Sequence, residues 1–278
     1  MDRISSLPDE LLRRILVSLH STRAAARTSL LSRRWRHLWT DLPEIVLGSD
    51  DAAPQPALFI DLVDAALAAS STTRPLPRLE IVMPSSSYIS SGIASSWLRF
   101  AAQHVAGTID IRLPAQDQPY LDNISPVELP ACDRATSITI VYGRWWRWHP
   151  CLYPLPGKSF AALTRLTLHH TRMEAWDLET LVSSRCPRLQ ILELRSISFA
   201  FARRPLSLRS GSLVSLFFYV RGTLRLDIDA PRLEELEVSC DVETHIISAP
   251  KLTEVKRRRE DSLALNCITS ASLIKLTN

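Results

Sequence analysis

Glycine is scarce in this chain of 278 residues: the seven glycines, at 48, 92, 107, 143, 157, 211 and 222, never come within five positions of one another. That excludes a GxGxxG turn, a Walker phosphate loop and a GxSxG nucleophile elbow, each of which needs closely spaced glycines. Five cysteines, at 132, 151, 186, 240 and 267, show neither even pairing nor CxxC spacing, which argues against a disulfide scaffold and a zinc knuckle. Long apolar runs are missing as well. No stretch of about 18 uncharged apolar residues occurs, and MDRISSLPDELL carries acids where a signal peptide would be apolar. A soluble protein of the nucleus or cytoplasm, without a membrane partner, is expected. Lysine stands at only four positions against 29 arginines, and the net charge of +4 is too small to point to nucleic acid.

What is present is apolar and periodic. Hydrophobic residues make up 46% of the chain, ample for a sizeable core. Residues 3 to 43 read as three short helices. Leu7-Pro8-Asp9-Glu10 starts the first, with proline in the turn that spares its missing N–H and acids at the positive end of the dipole. Leu11, Leu12, Ile15, Leu16 and Leu19 then lie along one face. Ser21 or Thr22 caps a second helix with small residues Ala24, Ala25 and Ala26, and Leu30, Leu31, Trp35, Leu38 and Trp39 form a third stripe among arginines. About forty residues cannot enclose so many large side chains, so part of this surface is expected to meet another chain or domain.

After Leu47 the composition turns to Gly48-Ser49-Asp50-Asp51-Ala52-Ala53-Pro54-Gln55-Pro56, a boundary. Residues 57 to 69 read as one amphipathic helix, ended by Thr72-Thr73-Arg74-Pro75. Beyond it the pattern Leu-x-x-Leu-x-Leu recurs at Leu163-Leu166-Leu168, Leu189-Leu192-Leu194, Leu213-Leu216-Phe218 and Leu233-Leu236-Val238. The register continues to Leu252-Val255 and Leu273-Leu276, with weaker matches at Leu76-Leu79-Ile81 and Ala135-Ile138-Ile140. Such a period marks leucine-rich repeats, each giving one strand of a parallel sheet. Small residue, proline, cation, leucine recurs before three of them, as Cys186-Pro187-Arg188, Ala230-Pro231-Arg232 and Ala249-Pro250-Lys251. Trp176, Leu178, Leu181 and Val182 suit an outer-layer helix, whereas units around 206 to 250 leave room only for turns or strands. Thr171 and Ile197 stand where such repeats usually carry an asparagine or cysteine ladder.

The opening residues carry a resemblance. Asp2-Arg3-Ile4-Ser5, Leu7-Pro8-Asp9-Glu10-Leu11-Leu12, Thr28-Ser29-Leu30-Leu31-Ser32-Arg33-Arg34-Trp35-Arg36 and Leu38-Trp39 look like an F-box, and with the repeats the chain resembles plant F-box proteins with leucine-rich repeats over nearly its whole length. The fold class implied is α/β: an F-box domain at 1–47, a linker and connecting helix at 48–75, and an irregular repeat solenoid at 76–278. The resemblance implies a non-catalytic receptor subunit that binds the Skp-type adaptor of a cullin–RING ubiquitin ligase through its F-box and a protein substrate through its repeats. Leu7, Pro8, Leu11, Leu12, Ile15, Leu16, Leu19, Leu31 and Trp35 are then expected to form or support the adaptor surface.

Trp145, Trp146, Arg147 and Trp148, within Tyr142–Pro150, are a candidate substrate contact by composition, either as interface anchors or as a loop folded on the solenoid. His169-His170 lacks the converging ligands a metal needs, and neither metal nor cofactor is expected. Lys256-Arg257-Arg258-Arg259, followed by Glu260-Asp261, reads as a solvated turn, with a nuclear-import patch or a contact to an acidic substrate as the alternatives. A scaffold that recruits no ligase, and a nucleic-acid-binding protein using the tryptophan and arginine segment, are the alternatives.

Overall fold

The computed structural model describes residues 7–31, 33–36, 38–52, 58–70, 74–85, 87–115, 125–143, 150–157, 159–199, 205–220, 224–239, 242–258 and 275–276. The helical start folds as expected in outline. Pro8 precedes α1 (Asp9–Ser18), whose first turn holds Asp9 and Glu10. His20, at φ 50°, turns the chain out of it in the left-handed conformation usual after a helix C-terminus. Ser21 accepts the Ala24 N–H at 3.0 Å to start α2 (Thr22–Arg27). The expected third helix is instead two short 3-10 turns, Thr28–Leu30 and Arg33–Arg36. Leu12, Leu16, Ala25, Trp35, Leu38 and Leu42 close a small core of their own, separate from the main one.

From residue 44 onward the chain winds into a solenoid. Its main parallel sheet takes, in spatial order, β1 (Glu44–Leu47), β2 (Leu76–Val82), β3 (Val105–Leu113), β5 (Ser137–Tyr142), β7 (Arg165–His169), β9 (Ile191–Phe199), β11 (Ser215–Val220), β13 (Glu235–Ser239) and β15 (Glu254–Arg258). Parallel neighbours need a crossover, and the crossovers form the second layer. Early crossovers are α3 (Leu58–Ala69) and α4 (Ser91–His104), joined where Trp97 donates its indole N–H to Asp64 at 2.8 Å. The middle ones carry the paired strands β4 (Val127–Leu129) and β6 (Leu152–Pro154), then β8 (Arg172–Met173) and α5 (Ala175–Thr180) with a π-turn at Leu181–Arg185. Late crossovers are strands: β10 (Leu206–Arg209), β12 (Leu224–Asp229), β14 (Val242–Ser248) and β16 (Lys275–Leu276) form a second parallel sheet.

The leucine pattern has a direct structural cause. The last two apolar positions of each repeat alternate inward along a strand, and the first closes the turn before it. The N–H groups of Leu189, Leu233 and Leu252 donate to the carbonyls of Cys186, Ala230 and Ala249 at 3.0–3.2 Å, so the small residue before each proline is the acceptor of that turn. Successive repeats are then tied through shared carbonyls: Thr164 receives the N–H groups of Gln190 and Ile191, Gln190 those of Val214 and Ser215, and Glu234 those of Thr253 and Glu254. The weaker matches hold without slip, because Leu76, Leu79, Ile81, Ala135, Ile138 and Ile140 are all buried in the same core.

Four readings of the sequence change. The sheet begins at Glu44–Leu47, inside the stretch assigned to the first domain, because Ile45 and Leu47 alternate inward and pair with Leu79 and Ile81. The linker helix is a structural layer of the solenoid, with Phe59 and Val63 fully buried. Lys275–Leu276 pairs with β14 in the second sheet, so Leu276 does not continue the main one, while Leu273 lies outside the described residues. Lys256 and Arg257 lie on β15 paired to β13, not in a turn.

Thr171 is fully buried where a ladder side chain was expected, and its hydroxyl has no hydrogen-bond partner. Only its carbonyl serves the repeat, accepting the Ser198 N–H at 3.1 Å. Burying an unsatisfied hydroxyl costs about 1–3 kcal/mol, so Thr171→Val is expected to stabilise the protein by about 1 kcal/mol, read as a rise in Tm. A fall in Tm would show that the hydroxyl is bonded.

Candidate interaction surfaces

Two surfaces stand out. On the helical unit, α1 divides its apolar residues between two faces. Leu12 and Leu16 point into the small core with at most 1% exposure, while Leu11, Ile15 and Leu19, one turn apart, stay 40–41% exposed. Leu30 and Leu31 are 85% and 72% exposed. Trp35, at 4% exposure, roofs the core from the turn at Arg33–Arg36, and Arg34 fastens that turn to α1 by donating to Asp9 at 2.6 Å. Leu7 packs half-buried against the core, and Pro8 is exposed. These residues leave apolar area open to solvent beside a core that is already closed.

The unit is also bolted to the solenoid. A first strand would leave its outer N–H groups open, and here α2 takes one of them: the Val46 N–H donates to the Thr22 hydroxyl at 2.9 Å. Asp51 completes the joint, accepting from the Ser21 hydroxyl at 2.8 Å and the Gly48 N–H at 2.9 Å, while its carbonyl accepts from Arg23.

The second surface is the outward face of the main sheet. Strand register lines its side chains in rows. One row runs Glu80, Asp110, Thr139, Thr167, Glu193, Phe217, Glu237, Lys256, and the next runs Arg112, Val141, His169, Arg195, Tyr219. Acids and cations two residues apart on one strand neutralise one another, as in Arg78 with Glu80, Arg112 with Asp110 at 3.0 Å, Arg195 with Glu193 at 2.5 Å and Lys256 with Glu254 at 2.7 Å. Arg195 also lies over the Tyr219 ring.

Glu193 is the most strongly held of these groups. The hydrogen bond from His169 is the leading cause, Arg195 adds to it against the opposing effect of burial, and the carboxyl is drawn down to about 2. Because the folded value lies below the ordinary one, the stabilisation is present above the usual carboxylate range and is lost as pH falls toward 2. Stability measured between pH 5 and pH 2 is expected to drop less steeply in Glu193→Gln than in the parent protein; equal slopes would remove Glu193 from the acid response. Burial pushes the thiols of Cys132 and Cys186 up to about 12, so neither is a ready nucleophile.

Comparison with known proteins agrees with this division of the chain. Residues 94–257 match the family described as FBD-associated F-box protein At5g56370, LRR repeats, and residues 4–46 match the F-box domain. This chain belongs to the F-box proteins with leucine-rich repeats. An FBD-associated F-box protein of Arabidopsis thaliana, At5g22720, is 31% identical over 253 residues, which are 86% of this chain and 50% of that protein. The Arabidopsis F-box/FBD/LRR-repeat protein At1g13780 is 28% identical over 262 residues, 86% of this chain and 54% of the relative. The F-box/LRR-repeat protein At2g42720 is 50% identical over 64 residues, 23% of this chain and 14% of the relative. The chain thus spans about half the length of the curated relatives it matches. No solved structure matches it.

Within the F-box, Leu12, Leu16 and Trp35 have too little exposed surface to serve as contacts in this conformation, and their place is support. Pro8, Leu11, Ile15, Leu19 and Leu31 remain as the exposed members of the expected set. Leu30, grouped in the sequence with Leu31, Trp35, Leu38 and Trp39 on one apolar stripe and left out of the expected adaptor set, is exposed as well, while Trp35 and Leu38 of that stripe are buried. Trp145, Trp146, Arg147 and Trp148 lie outside the described residues. Trp176 faces outward at 61% exposure, while Leu178, Leu181 and Val182 of the same segment pack inward. Among the described residues no helix is long and apolar enough to cross a membrane.

Proposed function

We propose that this F-box protein is a substrate receptor of a Skp–cullin–F-box ubiquitin ligase. The observation that carries the reading is the exposed set Leu11, Ile15, Leu19, Leu30 and Leu31 on a unit whose own core is already closed. A partner that covers this set removes apolar area from water at about 25 cal/mol per Å². The receptor itself performs no bond chemistry. It holds a target at a fixed place beside a conjugating enzyme carried by other subunits, and the transfer gains from raised local concentration.

Such a role needs a stiff connection between adaptor side and substrate side. The Thr22–Val46 bond and the Asp51 joint supply one, since the helical unit caps the first strand of the sheet that carries the proposed substrate surface. That surface takes in the outward rows of the sheet, with the Trp145, Trp146, Arg147 and Trp148 segment assigned to it on composition. The protein would work in the nucleus or the cytoplasm, where ligases of this type act. Co-purification of the full chain with a Skp-type adaptor tests the assignment. A chain that captures no adaptor would instead be an interaction scaffold.

A further inference from the structure

Where the F-box meets the solenoid, a cleft of about 770 Å³ opens between α1, the segment Thr40–Pro43 and the entry to β2. Its charge is one-sided. Arg13, Arg14 and Arg74 face it against one carboxylate, Asp41, which Arg13 approaches only to 3.6 Å. The Arg13 Nε is itself buried without a hydrogen-bond partner. Arg14 and Arg74 have no carboxylate partner among the described residues. Arg112, Arg195 and Arg225 are each answered by an acid on their own strand, Asp110, Glu193 and Asp227, whereas the arginines of the cleft share only Asp41.

Three guanidinium groups gathered in a concave site repel one another, and a polyvalent anion relieves that repulsion while taking several N–H donors at once. The walls are suited to more than an inorganic ion. Val17, Leu42 and Leu76 give an apolar lining, and Pro75 and Pro77 hold the backbone of the β2 entry to few conformations. The volume lies within the roughly 300–1,000 Å³ range of small-molecule sites.

We propose that this cleft binds a small organic phosphate, its phosphoryl group among Arg13, Arg14 and Arg74 and its carbon body against Val17, Leu42 and Leu76. The site is separate from the adaptor-facing set. At about 100° per residue, Leu12 and Leu16 take the inward face of α1, Arg13 and Val17 one flank, Leu11, Ile15 and Leu19 the other, and Arg14 the back between the two flanks. A bound ligand would bridge α1 to the strand entry at Arg74 and brace the joint between F-box and repeats.

Phenyl phosphate, titrated into the full chain by calorimetry with inorganic phosphate in parallel, is the test. Phenyl phosphate is expected to bind at least about tenfold more tightly than inorganic phosphate, and Arg14→Gln combined with Arg74→Gln to weaken it by at least about tenfold. Both arginines are exposed, so Tm without ligand should stay within about 2 °C of the parent value and confirm that the double variant is folded. Equal affinity of parent and double variant for phenyl phosphate, or no heat with the parent protein at millimolar concentration, overturns the proposal. Binding of inorganic phosphate as tight as phenyl phosphate overturns the organic-body part of it. Adaptor capture is expected to be unchanged in Arg74→Gln alone, a position outside α1, so failure here and failure of the ligase reading give different results.

Discussion

Ile15→Asp combined with Leu31→Asp is expected to abolish capture of a Skp-type adaptor while leaving the melting temperature unchanged. Both side chains are exposed, at 40% and 72%, and neither belongs to the closed core, so the free protein loses little packing when they change. In a complex each substitution would bury a carboxylate in an apolar contact. Losing two central anchors at about 2 kcal/mol each weakens binding roughly a thousandfold, before the cost of burying charge is added. Leu12→Ala supplies the contrast. That side chain is fully buried in the small core, and truncation there is expected to cost about 3 kcal/mol of stability through lost contacts and a cavity. Stability and capture therefore separate: the surface pair should affect only capture, and the core change should show first as a lower Tm. Undiminished capture by a folded Ile15→Asp, Leu31→Asp protein would remove the adaptor surface from α1 and the following turn.

The repeats were legible because their physics is local and periodic. Leu166, Leu168, Leu192 and Leu194 alternate along strands, and Cys186-Pro187-Arg188 marks a turn by its own composition. The first strand was missed although Leu42-Ile45-Leu47 keeps the repeat spacing, because the stretch was read as the end of the helical unit; Leu42 packs in that unit's core, and the strand's place in the sheet depends on pairing with β2 some thirty residues later. The second sheet was hidden for the same reason: short crossovers allow turns or strands alike, and only the stacking of β10, β12 and β14 chooses strands.

In the helical unit, periodicity found the apolar residues but could not rank their exposure. An arc that includes both Leu11 and Leu12 is wider than one core can cover, and the split between inward Leu12 and outward Leu11 follows from where Trp35 and Leu42 dock. The cleft at the joint was invisible in sequence, since Arg74 lies far along the chain from Arg13 and Arg14 and only the fold brings them to one place.

Gly143→Ala is expected to be among the most damaging single-atom changes outside the core. β5 ends at Tyr142, and the next residue passes so close to the end of β3 that an added Cβ would lie 2.3 Å from the Ala115 nitrogen and 2.9 Å from the Ala115 Cβ. The neighbour is backbone, so no side chain can swing aside. Retreat of residue 143 would stretch the bond its N–H donates to the Leu113 carbonyl at 2.8 Å. Overpacking of this kind typically costs 1–3 kcal/mol, and with the strained bond about 3 kcal/mol is expected, a fall in Tm of roughly 6–10 °C. Gly211→Ala is the control: nothing lies within 4 Å of its added Cβ, so Tm should hold or rise slightly. The consequence reaches function, because Gly143 and Ala115 are the roots from which the chain leaves β5 toward Trp145–Trp148 and leaves β3 toward β4. A Gly143→Ala protein that melts with the parent would mean that the two strand ends do not approach as closely as the structure has them. A protein with lowered Tm but intact adaptor capture would place the damage in the repeats alone, since the F-box keeps its own core of Leu12, Leu16, Ala25, Trp35, Leu38 and Leu42.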